Sequence, residues 1–276
     1  MDFLIVNGKI VKTKETNLSE FIIDEPFSLS QKMWFGYGGI PLFSEDMELL
    51  ARQAAAMKMD LPREFENRRE LFRITKRMLN KNKFYRSGHV TFQLFQTKNK
   101  TGFVVTSQPF SEFEFPFSEE GTLLTFSNQK KVSGNNFNPF AFFSKPLWET
   151  TISELRNTHF HNSVFMNEKN EVCECAGANI FLIQKNEIIT PPLKSGCYND
   201  ILRSMILSSA REIGLKTNET TDVKKTDLKK MDEIFIASEL TGVQWVLGVE
   251  NKRFLHFISD QIHKKLSENL KKKALN

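Results

Sequence analysis

The stretch Glu171-Val172-Cys173-Glu174-Cys175-Ala176-Gly177-Ala178-Asn179-Ile180-Phe181-Leu182-Ile183 reads as the end of a β-hairpin, a tight turn and a buried strand. Upstream, Ser163 to Met166 forms the first hairpin arm, and Asn167-Glu168-Lys169-Asn170 supplies the turn residues between the arms. Downstream, the apolar run at 179–184 is too short for a helix and suits a strand. A second strand is expected at 187–190, closed by Pro191-Pro192-Leu193. Gly196 then leads to a helix expected from about 200 to 213, with further elements at 233–237 (strand) and 254–272 (helix).

The same reading extends to the N-terminal half. Residues 2–6 and 9–14 flank Asn7-Gly8, a dipeptide that tolerates the positive φ angles of a two-residue hairpin turn. The segment 32–43 is apolar and β-leaning around Gly36, Gly38 and Gly39. A helix follows over 46–59, where Met47, Leu50, Ala54 and Met57 recur at helical spacing, and a second runs from Pro62 or Arg63 to Lys81. Strands are expected at 89–95 and 102–106. Ser107-Gln108-Pro109 and Phe115-Pro116-Phe117 interrupt the pattern and mark a boundary between domains at 1–115 and 116–276. The segment 128–138 reads as loose, and a helix is expected near 147–157. Strands and helices mixed in both halves predict an α/β (α+β) protein of two domains.

Composition narrows the class. With 40% apolar and 26% charged residues the chain is globular rather than disordered. No apolar run approaches the roughly 18–20 residues that span a bilayer, and Met1 to Gly8 lacks the basic start of a signal peptide. The net charge of +5 owes much to Lys264, Lys265, Lys271, Lys272 and Lys273, a solvated helix face with no nucleic-acid motif beside it. Neither a membrane nor a nucleic acid is therefore expected as a partner. Three cysteines, Cys173, Cys175 and Cys197, suit a reducing, cytoplasmic compartment rather than a disulfide framework. Cys173 and Cys175, with His159 and His161 upstream, also admit a metal site, against which stand their apolar strand surroundings.

The ordered set from Glu174 to Asn179, Thr190-Pro191-Pro192, Gly196, Arg203, 232–238 and Gly242 to Val246 resembles the class IV aminotransferases. These fold-type IV pyridoxal-phosphate enzymes include branched-chain and D-amino-acid aminotransferases and aminodeoxychorismate lyase. The resemblance is clearest over 160–266 and traceable over 1–59. It implies a D-amino-acid-aminotransferase-like fold, with a smaller N-terminal α/β sandwich and a larger, barrel-like C-terminal domain. It also implies a pyridoxal 5'-phosphate cofactor, a small amino-acid-type substrate and a homodimer.

The resemblance assigns roles residue by residue. Glu174 stands where the family has the carboxylate that keeps the cofactor's ring nitrogen protonated, and Asn179 belongs to the same motif. The family lysine, which binds the cofactor as a Schiff base and moves the substrate's α-proton, has Lys145 as its nearby candidate. An ungapped alignment puts Ala141 there instead, and the tyrosine five positions on falls at Thr150. For the phosphate, the helix start at Ile201 and Leu202 offers backbone N–H groups, although Asp200 brings a negative charge beside them, and Ser238 and Thr241 offer hydroxyls. The family's phosphate arginine falls at Leu49, with Arg52 one turn on as a replacement. Its Phe-Glu-Thr strand reads Gln31-Lys32-Met33, and His89 stands where relatives often carry arginine. These departures keep open a second reading, in which the chain retains the fold, has lost the cofactor, and serves as a binding or regulatory protein.

Overall fold

Asn7 and Gly8 carry φ angles of 44° and 78°, the left-handed pair of a two-residue turn, and join β1 (Phe3–Val6) to β2 (Lys9–Lys12). The computed structural model describes residues 1–17, 27–96, 101–220 and 223–275. In it the chain forms two compact units, Met1–Phe115 with Leu270–Asn276, and Pro116–Asn269. The last seven residues thus group with the first unit rather than with the C-terminal domain expected over 116–276.

The first unit is an antiparallel sheet in the order β2-β1-β5-β4-β3, completed by β3 (Phe27–Phe35), β4 (Ser87–Gln96) and β5 (Thr101–Phe110). Helix α1 (Phe43–Ala56) buries Met47, Leu50 and Ala54 as their spacing requires. The second expected helix is divided. A short 3-10 turn at Arg63–Glu66 precedes α2 (Arg68–Lys81), because the Asn67 side chain accepts from the Glu70 amide and caps the new helix.

The second unit carries the motif of residues 171–183 on a nine-stranded mixed sheet, a half-barrel in the order β11-β10-β9-β12-β13-β6-β7-β8, with β14 paired to β13. Its elements are β6 (Thr122–Lys131), α3 (Ala141–Glu154), β7 (Asn162–Asn167), β8 (Val172–Cys175), β9 (Asn179–Gln184) and β10 (Glu187–Thr190). They continue as α4 (Leu202–Glu212), β11 (Lys216–Glu219), β12 (Glu233–Ser238), β13 (Gly242–Val249), β14 (Lys252–Arg253) and α5 (Phe257–Leu275). One face of the sheet buries Leu124, Val164, Cys175, Ile180, Leu182, Ile234, Ile236 and Val246 in a common core.

Two local differences from expectation matter for the site. The segment taken as loose from residue 128 is strand as far as Lys131. Helix α3 starts at Ala141, earlier than expected, and continues through Pro146. Among the described residues, no helix is long and apolar enough to cross a membrane.

Candidate active site

Strand β8 is buried along its whole length, so its side chains meet protein on both faces. Cys175 enters the common core. Glu174, paired across the ladder with Phe165, bonds instead to Trp148 and the Tyr198 amide. Trp148, Phe165, Ala176 and Tyr198 form a separate apolar cluster, against which Ala141 and Leu147 pack.

Glu174 is fully buried and both of its carboxylate oxygens accept hydrogen bonds. Lys131 Nζ donates to Oε1 at 2.8 Å, and Trp148 Nε1 donates to the same oxygen at 2.8 Å. The Tyr198 amide donates to Oε2. Lys131 is itself buried at the end of β6, and its Nζ also reaches Ser144 Oγ at 3.1 Å. Loss of solvent pushes the Glu174 carboxyl above its usual range, and Lys131, the Tyr198 amide and Trp148 oppose that shift.

The expected lysine is not at this site. Ser144, Trp148 and Thr151 recur at helical spacing and form the buried face of α3. Lys145 falls outside that face, 61% exposed at its side chain, and forms an i,i+4 pair with Glu149 at 3.7 Å. The amine beside Glu174 is Lys131, which the sequence reading missed. Its only signal was the pair Lys130-Lys131 at the end of an apolar stretch, and strand alternation turns just one of them inward. Lys130 bonds the exposed Asn170 side chain.

Asn179 is a staple for the loop before α4. Its Nδ2 donates to the Tyr198 carbonyl at 2.6 Å and its Oδ1 accepts from the Asp200 amide at 3.3 Å. Asp200, 4% exposed, turns its Oδ1 back onto the Leu202 amide at 2.9 Å and the Glu239 amide at 3.0 Å. The Tyr198 side chain adds a further hydrogen bond. Burial pushes the Asp200 carboxyl up to about 6, against the pull of those amides. Ile201 is half-buried and non-capping, and Leu202 is buried with its N–H taken by Asp200. The Ser238 and Thr241 hydroxyls bond each other at 2.9 Å, and Ser238 Oγ accepts from the Thr241 amide at 3.2 Å.

Arg203 is equally committed. Its guanidinium donates to Thr190 Oγ1 at 3.0 Å, the Pro191 carbonyl at 2.8 Å and Glu219 at 2.7 Å. It pins α4 to the end of β10. In the first unit, Arg52 is exposed on α1, while the buried Asp46 accepts from Gln31, which in turn accepts from Gln53. His89 is buried edge-on to Phe110, with ring centroids 4.7 Å apart. The three cysteines are free and buried, and no group of three or more metal-ligating side chains occurs among the described residues.

Whether pyridoxal phosphate suits these residues divides by the end of the molecule considered. At the ring end the chemistry is right: a buried carboxylate and a buried amine. Their placement is not that of a loaded site, because the ring nitrogen and the aldehyde lie on opposite sides of the pyridine ring, whereas Lys131 and Glu174 touch. At the phosphate end the residues of the second unit do not fit. The N–H groups that would receive an anion already hold the Asp200 carboxylate.

A family profile described as amino-transferase class IV matches residues 37–249, more than three quarters of the chain. A probable branched-chain-amino-acid aminotransferase from Synechocystis sp. is 28% identical over 111 residues, 40% of this chain and 35% of that one. An aminodeoxychorismate lyase from Vibrio harveyi is 29% identical over 121 residues, 43% of this chain and 44% of that one. The matched stretch thus spans less than half the length of these two curated relatives. Among solved structures, the branched-chain aminotransferase from Thermoproteus uzoniensis superposes with a TM-score of 0.84 at 18% identity, covering 98% of this chain and 95% of that one. The branched-chain aminotransferase from Thermobaculum terrenum in its PLP form superposes with a TM-score of 0.84 at 16% identity, covering 99% and 95%. At such identity the superpositions speak for the fold. These relatives and neighbours are enzymes, and class IV aminotransferases depend on pyridoxal phosphate. With the fold, the ordered motif and the profile in agreement, the chain belongs to the class IV aminotransferase family.

Proposed function

We propose that the chain is a pyridoxal-phosphate-dependent aminotransferase or aminodeoxychorismate-lyase-like enzyme for a small amino-acid-type substrate, with Lys131 as its amine and Glu174 as its ring-facing carboxylate. The observation that carries this reading is the donor set, a buried carboxylate on the motif strand, Glu174, and a buried amine, Lys131, both inside the matched family profile. When bound, the cofactor supplies an electron sink for bonds at the substrate's α-carbon. Glu174, oriented by Trp148 and the Tyr198 amide, would hold a proton on the cofactor's ring nitrogen. Lys131, once clear of Glu174, is the group that accepts or returns a proton at Nζ. Ser144 and the apolar cluster around Trp148 and Tyr198 keep water from the pair. A symmetric homodimer and a cytoplasmic setting belong to the same proposal, and light scattering of the purified protein tests the first.

A second reading, a binding or regulatory protein without the cofactor, is favoured by one observation: Lys131 already occupies the Glu174 oxygen that Trp148 shares. Absorbance after incubation with pyridoxal phosphate, then borohydride reduction and peptide mapping, separates the two. A reducible band with the label on Lys131 supports the enzyme. A label on Lys145 or another lysine removes Lys131 from its role. No band and no label at saturating cofactor leaves the binding reading in place.

A further inference from the structure

The loop from Tyr198 to Leu202 folds a carboxylate of the chain back onto its own helix. Asp200 Oδ1 joins the first turn of α4, through the Leu202 amide, to the loop after β12, through the Glu239 amide. Asn179 fixes that loop from the other side by gripping the Tyr198 carbonyl and the Asp200 amide. The neighbouring hydroxyls of Ser238 and Thr241 are turned to each other. An anion arriving here would have to displace a carboxylate that is covalently part of the loop, and would meet its charge. Coulomb repulsion between such groups is strong in a buried setting of low dielectric.

We infer that Asp200 is a built-in substitute for the cofactor's phosphate, so that the site of the second unit recognises the pyridine-ring end of a ligand without selecting for a phosphate on it. The inference rests on the proposed cofactor site and deepens it: the ligand class is a pyridoxal-type ring, phosphorylated or not. A fixed internal anion satisfies the same N–H groups without the entropic penalty of capturing a free one.

The test is calorimetric titration with pyridoxamine 5'-phosphate and with pyridoxamine. Neither carries an aldehyde, so neither can bond to a lysine, and the result is independent of whether Lys131 is the reacting amine. The wild-type chain is expected to bind the two within about threefold of each other. Asp200→Gly frees the N–H groups and is expected to favour the phosphorylated form by about tenfold or more. Should the wild-type chain bind neither measurably, recognition of the ring by the wild type is overturned. A gain of pyridoxamine 5'-phosphate alone by Asp200→Gly then supports only the substitution of Asp200 for the phosphate, and no gain overturns that as well. A wild-type preference for the phosphorylated form of about tenfold or more also overturns it. Asp200→Asn, whose amide oxygen can accept the same two N–H bonds, guards against misfolding of the glycine variant. Relief of the charge alone should raise its preference for the phosphorylated form above that of the wild type, and an unchanged preference counts against the inference.

Discussion

Lys131 Nζ and Glu174 Oε1 are 2.8 Å apart, at side chains 3% and 0% exposed. Two charges withdrawn from water this completely are tolerated because each neutralises the other. Removing one leaves the other stranded, at about 3–5 kcal/mol for a typical buried pair. Lys131→Met is therefore expected to lower unfolding free energy by about that amount in urea titration at neutral pH. Lys131→Met/Glu174→Gln should recover a large part of the loss, since no buried charge remains. Additive effects of the two changes would show that the pair is not energetically coupled.

The Asp200 carboxyl gives a pH signature that can be isolated by difference. Its folded value of about 6 lies above the ordinary aspartate value of 3.8, so folding favours the protonated form. Its stabilising contribution is complete below the lower value and is lost as pH rises through about 6. Asp200→Asn has no such proton to lose. The stability of the variant relative to the wild type should rise between pH 4 and pH 7, by on the order of 3 kcal/mol at most. Other titrating groups, Glu174 included, are common to both proteins and cancel. Chemical denaturation at several pH values measures the difference, and a flat difference would mean that the burial of Asp200 is relieved in solution.

How far the site could be read from sequence follows from the same residues. Asn7-Gly8, the hairpin around 167–170 and the run from Asn179 to Gln184 obey local rules of turn chemistry and strand length, so their elements were legible. Glu174 was legible because an ordered motif surrounds it. Lys131 was not, because its inward direction depends on where β6 ends and on its pairing with Asn167 of β7, a contact between residues far apart in the chain. Lys145 misled because it is the lysine that stands nearest the family spacing, just before the helix expected near 147–157. The helix starts at Ala141, and its phase puts Ser144 and Trp148 inward and Lys145 outward. The charge of Asp200 was visible, but its return onto two backbone amides was not.

Arg203 supplies a test of what the family-like helix start has become. Its three bonds reach Thr190, the Pro191 carbonyl and Glu219, and a planar fork makes them together. Arg203→Lys keeps the charge and loses the fork, so a destabilisation of about 2–3 kcal/mol is expected by thermal or urea unfolding. Glu219→Gln should change stability by under about 1 kcal/mol, because that carboxylate is half exposed and its pair is screened by solvent. A larger effect from Glu219 than from Arg203 would reverse this assignment.

The cysteines provide a last measurement, on the state of the motif strand itself. Cys173, Cys175 and Cys197 are all free and buried. Burial is the main cause raising each thiol, with the Glu174 carboxylate adding to it, and Cys197 is pushed up to about 11. The thiolate is the reactive form, so these groups should be inert on two counts, access and ionisation. Native protein mixed with an aromatic disulfide reagent at neutral pH is expected to release almost no chromophore while the denatured chain releases three equivalents. Lys131→Met, by weakening the layer that covers β8, should quicken the native reaction at Cys173, whose thiol donates to the Glu171 and Ser195 carbonyls. A fast thiol in the wild-type protein would instead mean that β8 opens on its own, and that the burial of Glu174 is transient.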